Sequence, residues 1–328
     1  MLARRAALAW LEREQVFKWL PFVPVQALLV FLLLPFVLLV YLSLVSWRIT
    51  RGVWWHAPFV GAANFTVAVR DERFVWAVIR TFGFAAAAVP LELGLGFGLA
   101  LLCRERFRGR RFYTTLFLLP MMIVPAVVGY DLSMLLIDQG PLNQILSLLA
   151  GRPVTVRWIS DYRMAKAAIV GADVWQWTSL VFLIVLSGFA GLPPDPIRAA
   201  RAMGASRWQI FRYVELPLLK PVLAIALVLR CMEALKIFDY PVLLTEGGPG
   251  NSTETIAVYL WRVGWDFTRV SDAAAMSLIL MVVVVIYTVI AIHILRRERR
   301  QLAEDAARWR VTGSSPSSGT PSSSPGRR

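Results

Sequence analysis

Six mainly apolar runs, at 22–46, 81–102, 112–136, 166–190, 219–241 and 273–295, constrain this chain more than any other feature. A helix of about 20 residues crosses the hydrocarbon layer of a bilayer, so each run is long enough to span it. The rest of the composition agrees. With 57% hydrophobic residues and a mean hydropathy of +0.59, the chain carries more apolar surface than a soluble domain can hide. The fourth run is interrupted by Asp173 and the fifth by Arg230, Glu233, Lys236 and Asp239, which lowers their hydropathy. The expected fold class is an all-α, polytopic membrane protein with about six transmembrane helices.

The loops orient the bundle. Lys and Arg number four in the N-terminal segment, five in Cys103–Arg111, five in Gly191–Lys220 and eight after His293. The alternate loops hold five, four and two. Basic residues favour the cytoplasmic side, so both termini are expected inside. This placement also accounts for the net charge of +14 without nucleic acid as a partner. The segment 1–21 is too charged to be the apolar core of a signal peptide, and the first run lacks a clear cleavage site, so it reads as a retained span. The transmembrane domain is placed at 22–295, with a cytoplasmic tail at 296–328. From about 311 the tail is Ser, Pro, Gly and Arg and is expected to be disordered. The two cysteines, Cys103 and Cys231, imply no disulfide framework, and two histidines exclude a histidine-rich metal site.

The loop between the fourth and fifth runs, 191–220, is unusually well specified. Asp195 followed by Pro196 predicts an N-cap and a short helix from Pro196 to Met203. Gly204 is placed to end it, and Ser206 with Gln209 fits a capping box that opens a second helix running to Val214. Pro217 is expected to stop that helix. Ile210, Phe211 and Val214 form an apolar stripe, while Trp208, Phe211 and Tyr213 stand among arginines. Two readings fit: a surface hairpin folded onto its own bundle, or a docking knob that enters a groove on a partner.

This loop resembles the cytoplasmic coupling loop, the "EAA" loop, of binding-protein-dependent ABC importer permeases. The matching positions are Ala199, Ala200, Gly204, Ala205, Ser206, Phe211, Leu216 and Pro217. Arg198 stands where the family usually has Glu, and Met203 where it usually has Asp. The resemblance continues at Gly61, Asn64 and Phe65, at Gly140 and Asn143, and at Trp158 and Ile159. It includes 235–239, the glycine-rich 244–250, and 272–277, which together resemble the carbohydrate-uptake branch on its MalF-like side. Such a resemblance implies a type I ABC importer permease in a bacterial or archaeal plasma membrane, embedded in lipid. The implied partners are a second, similar permease, two ATPase subunits that bind ATP and magnesium, and an extracytoplasmic solute-binding protein. The implied solute is a sugar, with a polyol or glycerol phosphate as alternatives.

The chain carries no phosphate-binding loop of its own. Its four lysines are followed by Trp19, Ala167, Pro221 and Ile237, never by the Ser or Thr that such a loop needs. No nucleophile elbow is present, which leaves a membrane-embedded enzyme without a reactive constellation, and a mere scaffold would not explain the capped, glycine-hinged loop. Ionisable residues inside a membrane usually face a cavity or the bundle interior. Glu233, Lys236, Asp239 and Tyr240, with Asp173 and Trp177, are therefore candidates for the solute path. Glu233 and Lys236 could instead form a structural ion pair, at a spacing of three on a helix. Helical geometry would set Arg230 and Asp239 on opposite sides. Glu92, among Gly94, Gly96 and Gly98, reads as structural, on a span suited to close helix packing.

Overall fold

The computed structural model describes the backbone of residues 14–312, which is helical and connecting segments without a strand. In chain order the elements are α1 (Glu14–Leu44), α2 (Ala63–Arg70), α3 (Glu72–Cys103), α4 (Arg110–Met122), α5 (Pro125–Leu136), α6 (Pro141–Ala150) and α7 (Tyr162–Ala190). They continue with α8 (Pro194–Ala202), α9 (Arg207–Ile210), a π-turn (Phe211–Glu215), α10 (Leu216–Ala234), α11 (Asp239–Thr245) and α12 (Ile256–Trp261). A second π-turn (Arg262–Asp266) leads to α13 (Val270–Thr312).

Four of these helices are long and apolar enough to cross a membrane: Phe22–Leu44 within α1, α3, α7, and Val270–Ile290 within α13. The expected third span, 112–136, is not straight. α4 and α5 meet at 91°. Pro125 opens α5 and forces Val124 before it into an extended backbone, which breaks the helix. The expected fifth span, 219–241, is also corrected. α10 ends at Ala234, residues 235–238 are not helical, and a new short helix begins at Asp239. Arg230 and Asp239 therefore do not share one helix, and the helical-wheel argument that set them on opposite sides does not hold.

Boundaries move outward elsewhere. α3 starts at Glu72 rather than 81 because Asp71 caps it, its Oδ1 accepting from the backbone N–H of Arg73 (3.0 Å) and Phe74 (3.3 Å). Asp161 caps α7 in the same way, and the N–H groups of Met164 and Arg163 hold its carboxyl below its ordinary value. α13 runs on to Thr312, well past the expected span end at 295. Residues 1–13 and 313–328 lie outside the described residues, and with them nearly all of the tail expected to be disordered from about 311; residues 311–312 end α13.

The framework is the pair α3 and α7. Ala100, Cys103, Val181, Phe182 and Val185 form a core at the end of the pair that holds Cys103. A Cβ on Gly96 would lie 2.7 Å from Val181 Cβ and 2.9 Å from the Phe182 backbone nitrogen, whereas Gly94 and Gly98 face open space. Only one of the three glycines is thus a contact residue. Gly96→Ala should cost about 1–3 kcal/mol through overpacking, while Gly94→Ala and Gly98→Ala should be neutral or slightly stabilising. Thermal unfolding in detergent measures this; equal stability of the Gly96 and Gly94 variants would refute the contact. A second core joins Phe74, Ile256, Tyr259, Val263 and Met276 from α3, α12, the second π-turn and α13.

Candidate functional site: the hinged segment 191–220 and a buried charge cluster

The segment 191–220 forms two short helices about a glycine hinge. α8 begins at Pro194 with Pro193 at its cap position, so Asp195 lies in the first turn and is not the cap. Gly204 has φ +81, a left-handed backbone. The N–H of Ala205 bonds to the Ala200 carbonyl (3.0 Å) and that of Gly204 to the Arg201 carbonyl (3.0 Å), the two bonds of a Schellman motif. The capping box is present: Ser206 Oγ accepts from Gln209 N–H (3.3 Å), and Gln209 Oε1 accepts from Ser206 N–H (2.8 Å). Pro217 does not stop the helix. It occupies the first turn of α10, and the π-turn before it joins α9 to α10 without a gap. Widening the turn removes the need for the N–H that proline lacks.

The segment sorts its side chains. Ala200 and Ile210 are buried, and Ala205 and Phe211 half-buried. The Phe211 ring packs near Phe97 (6.2 Å between centroids) and under the Arg104 guanidinium (5.6 Å), so it anchors the segment to the bundle. Met203, Trp208 and Tyr213 are 81%, 67% and 74% exposed. Ala199 is exposed, and so is Arg198, which lies 3.7 Å from the Asp195 carboxylate. Between this segment and the loop 104–110 lies a cavity of about 1170 Å³. Arg104, Arg106, Arg110, Arg201 and Arg207 line it, against Glu105 and Glu215. Arg104 pairs with Glu215, while Arg106 and Arg201 have no ion-pair partner among the described residues.

Deeper in the bundle three charges converge. Arg230 on α10 is 1% exposed. Its Nη2 donates to Glu92 Oε1 (2.7 Å) on α3 and Asp173 Oδ2 (2.8 Å) on α7, and its Nε donates to Glu92 Oε2. The guanidinium carbon lies 5.1 Å from the Trp177 ring centroid. Next on α7, Gln176 accepts from the Tyr240 hydroxyl and donates to the Ile123 carbonyl at the break between α4 and α5. The reading of Glu92 as a packing residue among glycines thus missed its partner.

The six solute-path candidates divide. Glu233 and Lys236 are exposed and pair with each other at 2.9 Å, Asp239 is half-buried, and Trp177 shows part of its ring. Asp173 and Tyr240 are buried, with their polar atoms committed to Arg230 and Gln176. The structure does not gather all six at one surface.

The loops on the other side are built by asparagines and one glutamate. Asn64 Nδ2 donates to the carbonyls of Ser43 and Val45 (both 2.8 Å), and Asn143 bonds Asp138, Val156 and the Trp158 indole. Both asparagines thus staple the loops around them. Glu254, which sequence reasoning missed, is fully buried and takes Arg73 and Arg262, with Arg80 at 3.7 Å. Little in the local sequence marks Glu254, since Arg262 is eight residues away while Arg73 and Arg80 are 181 and 174 away.

Residues 92–300 match the family described as binding-protein-dependent transport system inner membrane component. A probable ABC transporter permease protein, y4oQ, of Sinorhizobium fredii is 38% identical over 265 residues, covering 80% of this chain and 84% of that protein. The trehalose/maltose transport system permease protein MalF of Thermococcus litoralis is 34% identical over 247 residues, covering 74% and 81%. In fold, the chain resembles one from a bacterial ABC transporter involved in import of the acidic polysaccharide alginate. The TM-score is 0.75 at 21% identity, over 89% of this chain and 99% of that one.

Proposed function

We propose, from the premise that this chain belongs to the binding-protein-dependent transport system inner membrane component family, that it is the permease subunit of an ATP-driven sugar importer. The observation that carries this reading is the coupling segment: a Schellman hinge at Gly204 and a capping box at Ser206 present Met203, Trp208 and Tyr213 outward. Exposed aromatic anchors beside arginines suit a groove on a partner protein. The sugar class is supported by relatives named for trehalose and maltose and for starch degradation products.

The ATPase is a separate subunit that binds ATP and magnesium, and this chain hydrolyses no ATP alone. A second, similar permease completes the path, and an external solute-binding protein delivers the sugar. Glu233, Lys236 and Asp239, with the open part of Trp177, face the solute, while Asp173 and Tyr240 support them from behind. Both termini lie in the cytoplasm.

Reconstitution of the chain with its ATPase, second permease and binding protein tests this. ATP hydrolysis is expected only with the ATPase present, rising when the binding protein carries its sugar; hydrolysis by the isolated chain would refute the division of labour. Cysteine at Met203 should react with an impermeant maleimide only from the cytoplasmic side, and cysteine at Leu148 only from outside. The reverse pattern would overturn the orientation.

A further inference from the structure

The turn of α7 from Asp173 to Trp177 touches every broken element of the bundle. Arg230 ties it to α10, Tyr240 to α11 just past the break at 235–238, and the Ile123 carbonyl to the break between α4 and α5. The two outer half-helices beyond those breaks also pack on each other. A Cβ on Gly129 of α5 would lie 3.2 Å from Leu243 Cβ of α11, and Val128, Leu136, Ile237, Tyr240 and Leu244 share one core.

α10 connects this turn to the cytoplasmic segment. No gap separates α9, the π-turn and α10, so displacement of the coupling segment moves α10 as a lever. Arg230 lies 14 residues beyond Leu216, roughly 20 Å along the axis at 1.5 Å per residue. α3 and α7, which carry Glu92 and Asp173, form a fixed body, because Gly96 lets their backbones meet. Arg230 is thus the contact between a lever and a frame.

The chemistry of the contact suits a switch. A guanidinium has a planar fork of donors, and here it faces two carboxylates on two helices. It can keep one acceptor while releasing the other, which gives discrete arrangements rather than continuous sliding. A buried ion cluster is seldom a gain in stability over packed apolar side chains, so stability alone does not explain it. Gln176 repeats the pattern with one acceptor and one donor, each given to a different half-helix.

We propose that Asp173–Trp177 is a latch that transmits movement of the coupling segment to the α5–α11 pair, with Arg230 and Gln176 as its positioning residues. The proposal rests on the permease reading, and the test separates the two. The whole complex is assembled with a single reporter cysteine at Met134 of α5, which is 52% exposed, after Cys103 and Cys231 are replaced by serine. Labelling by an impermeant maleimide is compared between the nucleotide-free state and the state trapped with ATP and vanadate. In the otherwise unaltered complex the rate should change about fivefold or more, the lower end of ordinary coupling.

Gln176→Leu and Arg230→Lys should assemble and trap nucleotide normally yet lose that change. A complex that traps no nucleotide refutes the permease reading. Normal trapping with an unchanged labelling rate in the unaltered complex overturns the latch alone. A retained change in both variants overturns it too, and so does loss of assembly in both, which would assign the turn to the fold.

Discussion

Gly204→Val should uncouple ATP hydrolysis from the solute-binding protein while leaving the membrane bundle assembled. The glycine has φ +81, and nothing lies within 4 Å of where its Cβ would be. The penalty is therefore backbone strain rather than a clash. A left-handed backbone costs an L-residue about 1–2 kcal/mol, and a β-branched side chain suffers most. That strain is set against the two bonds that close the Schellman turn, from Ala205 to Ala200 and from Gly204 to Arg201. If the turn opens, α9 leaves at another angle and Trp208 is re-aimed.

An energy of 1–2 kcal/mol corresponds to roughly a 5- to 30-fold change in the docking-competent population. Stimulation of ATP hydrolysis by the loaded binding protein should fall by about that factor. Gly204→Asn is the control, since asparagine tolerates the left-handed region and should keep most of the coupling. Normal stimulation in the valine variant would show that the hinge does not set the docking angle.

The second large effect is expected at Glu254. Its side chain is fully buried, while those of Arg73, Arg80 and Arg262 are 33%, 17% and 20% exposed. Arg73 Nε and Nη2 donate to it at 2.8 Å each, and Arg262 Nη1 at 2.9 Å. Glu254→Gln keeps the shape but leaves three guanidinium groups facing a neutral amide. Removing one partner of a buried ion pair costs about 3–5 kcal/mol. The partial exposure of the arginines argues for the lower end, about 3 kcal/mol.

The cost should spread along the segment that Glu254 anchors. Ser252, Thr253 and Thr255 are buried beside it, and Thr255 Oγ1 donates to the Ile237 carbonyl (2.9 Å) at the break between α10 and α11. Loosening of this segment should appear as a lower unfolding temperature and faster proteolysis between 246 and 255. Glu254→Asp, which keeps the charge, should recover part of the loss. A glutamine variant as stable as the parent would mean that solvent already compensates the arginines.

The features legible in the sequence share one property: a few neighbouring residues decide them. Apolar runs of span length, the left-handed glycine at 204 and the reciprocal cap of Ser206 and Gln209 are all written within a turn or a run. The break at 123–124 had a local signal in Pro125, and the cap at Asp71 in the residues that follow it. The tertiary structure decided what each charge is for. Arg230 meets Glu92 across 138 residues and Asp173 across 57, and Arg73 meets Glu254 across 181. Glu233, three residues on from Arg230, gives its carboxylate to Lys236 at the helix end instead. Packing likewise singled out Gly96 from the equivalent-looking Gly94 and Gly98. A backbone turn closes on its own atoms, but a buried charge finds its partner only when separate helices are brought side by side, and that arrangement belongs to the whole bundle.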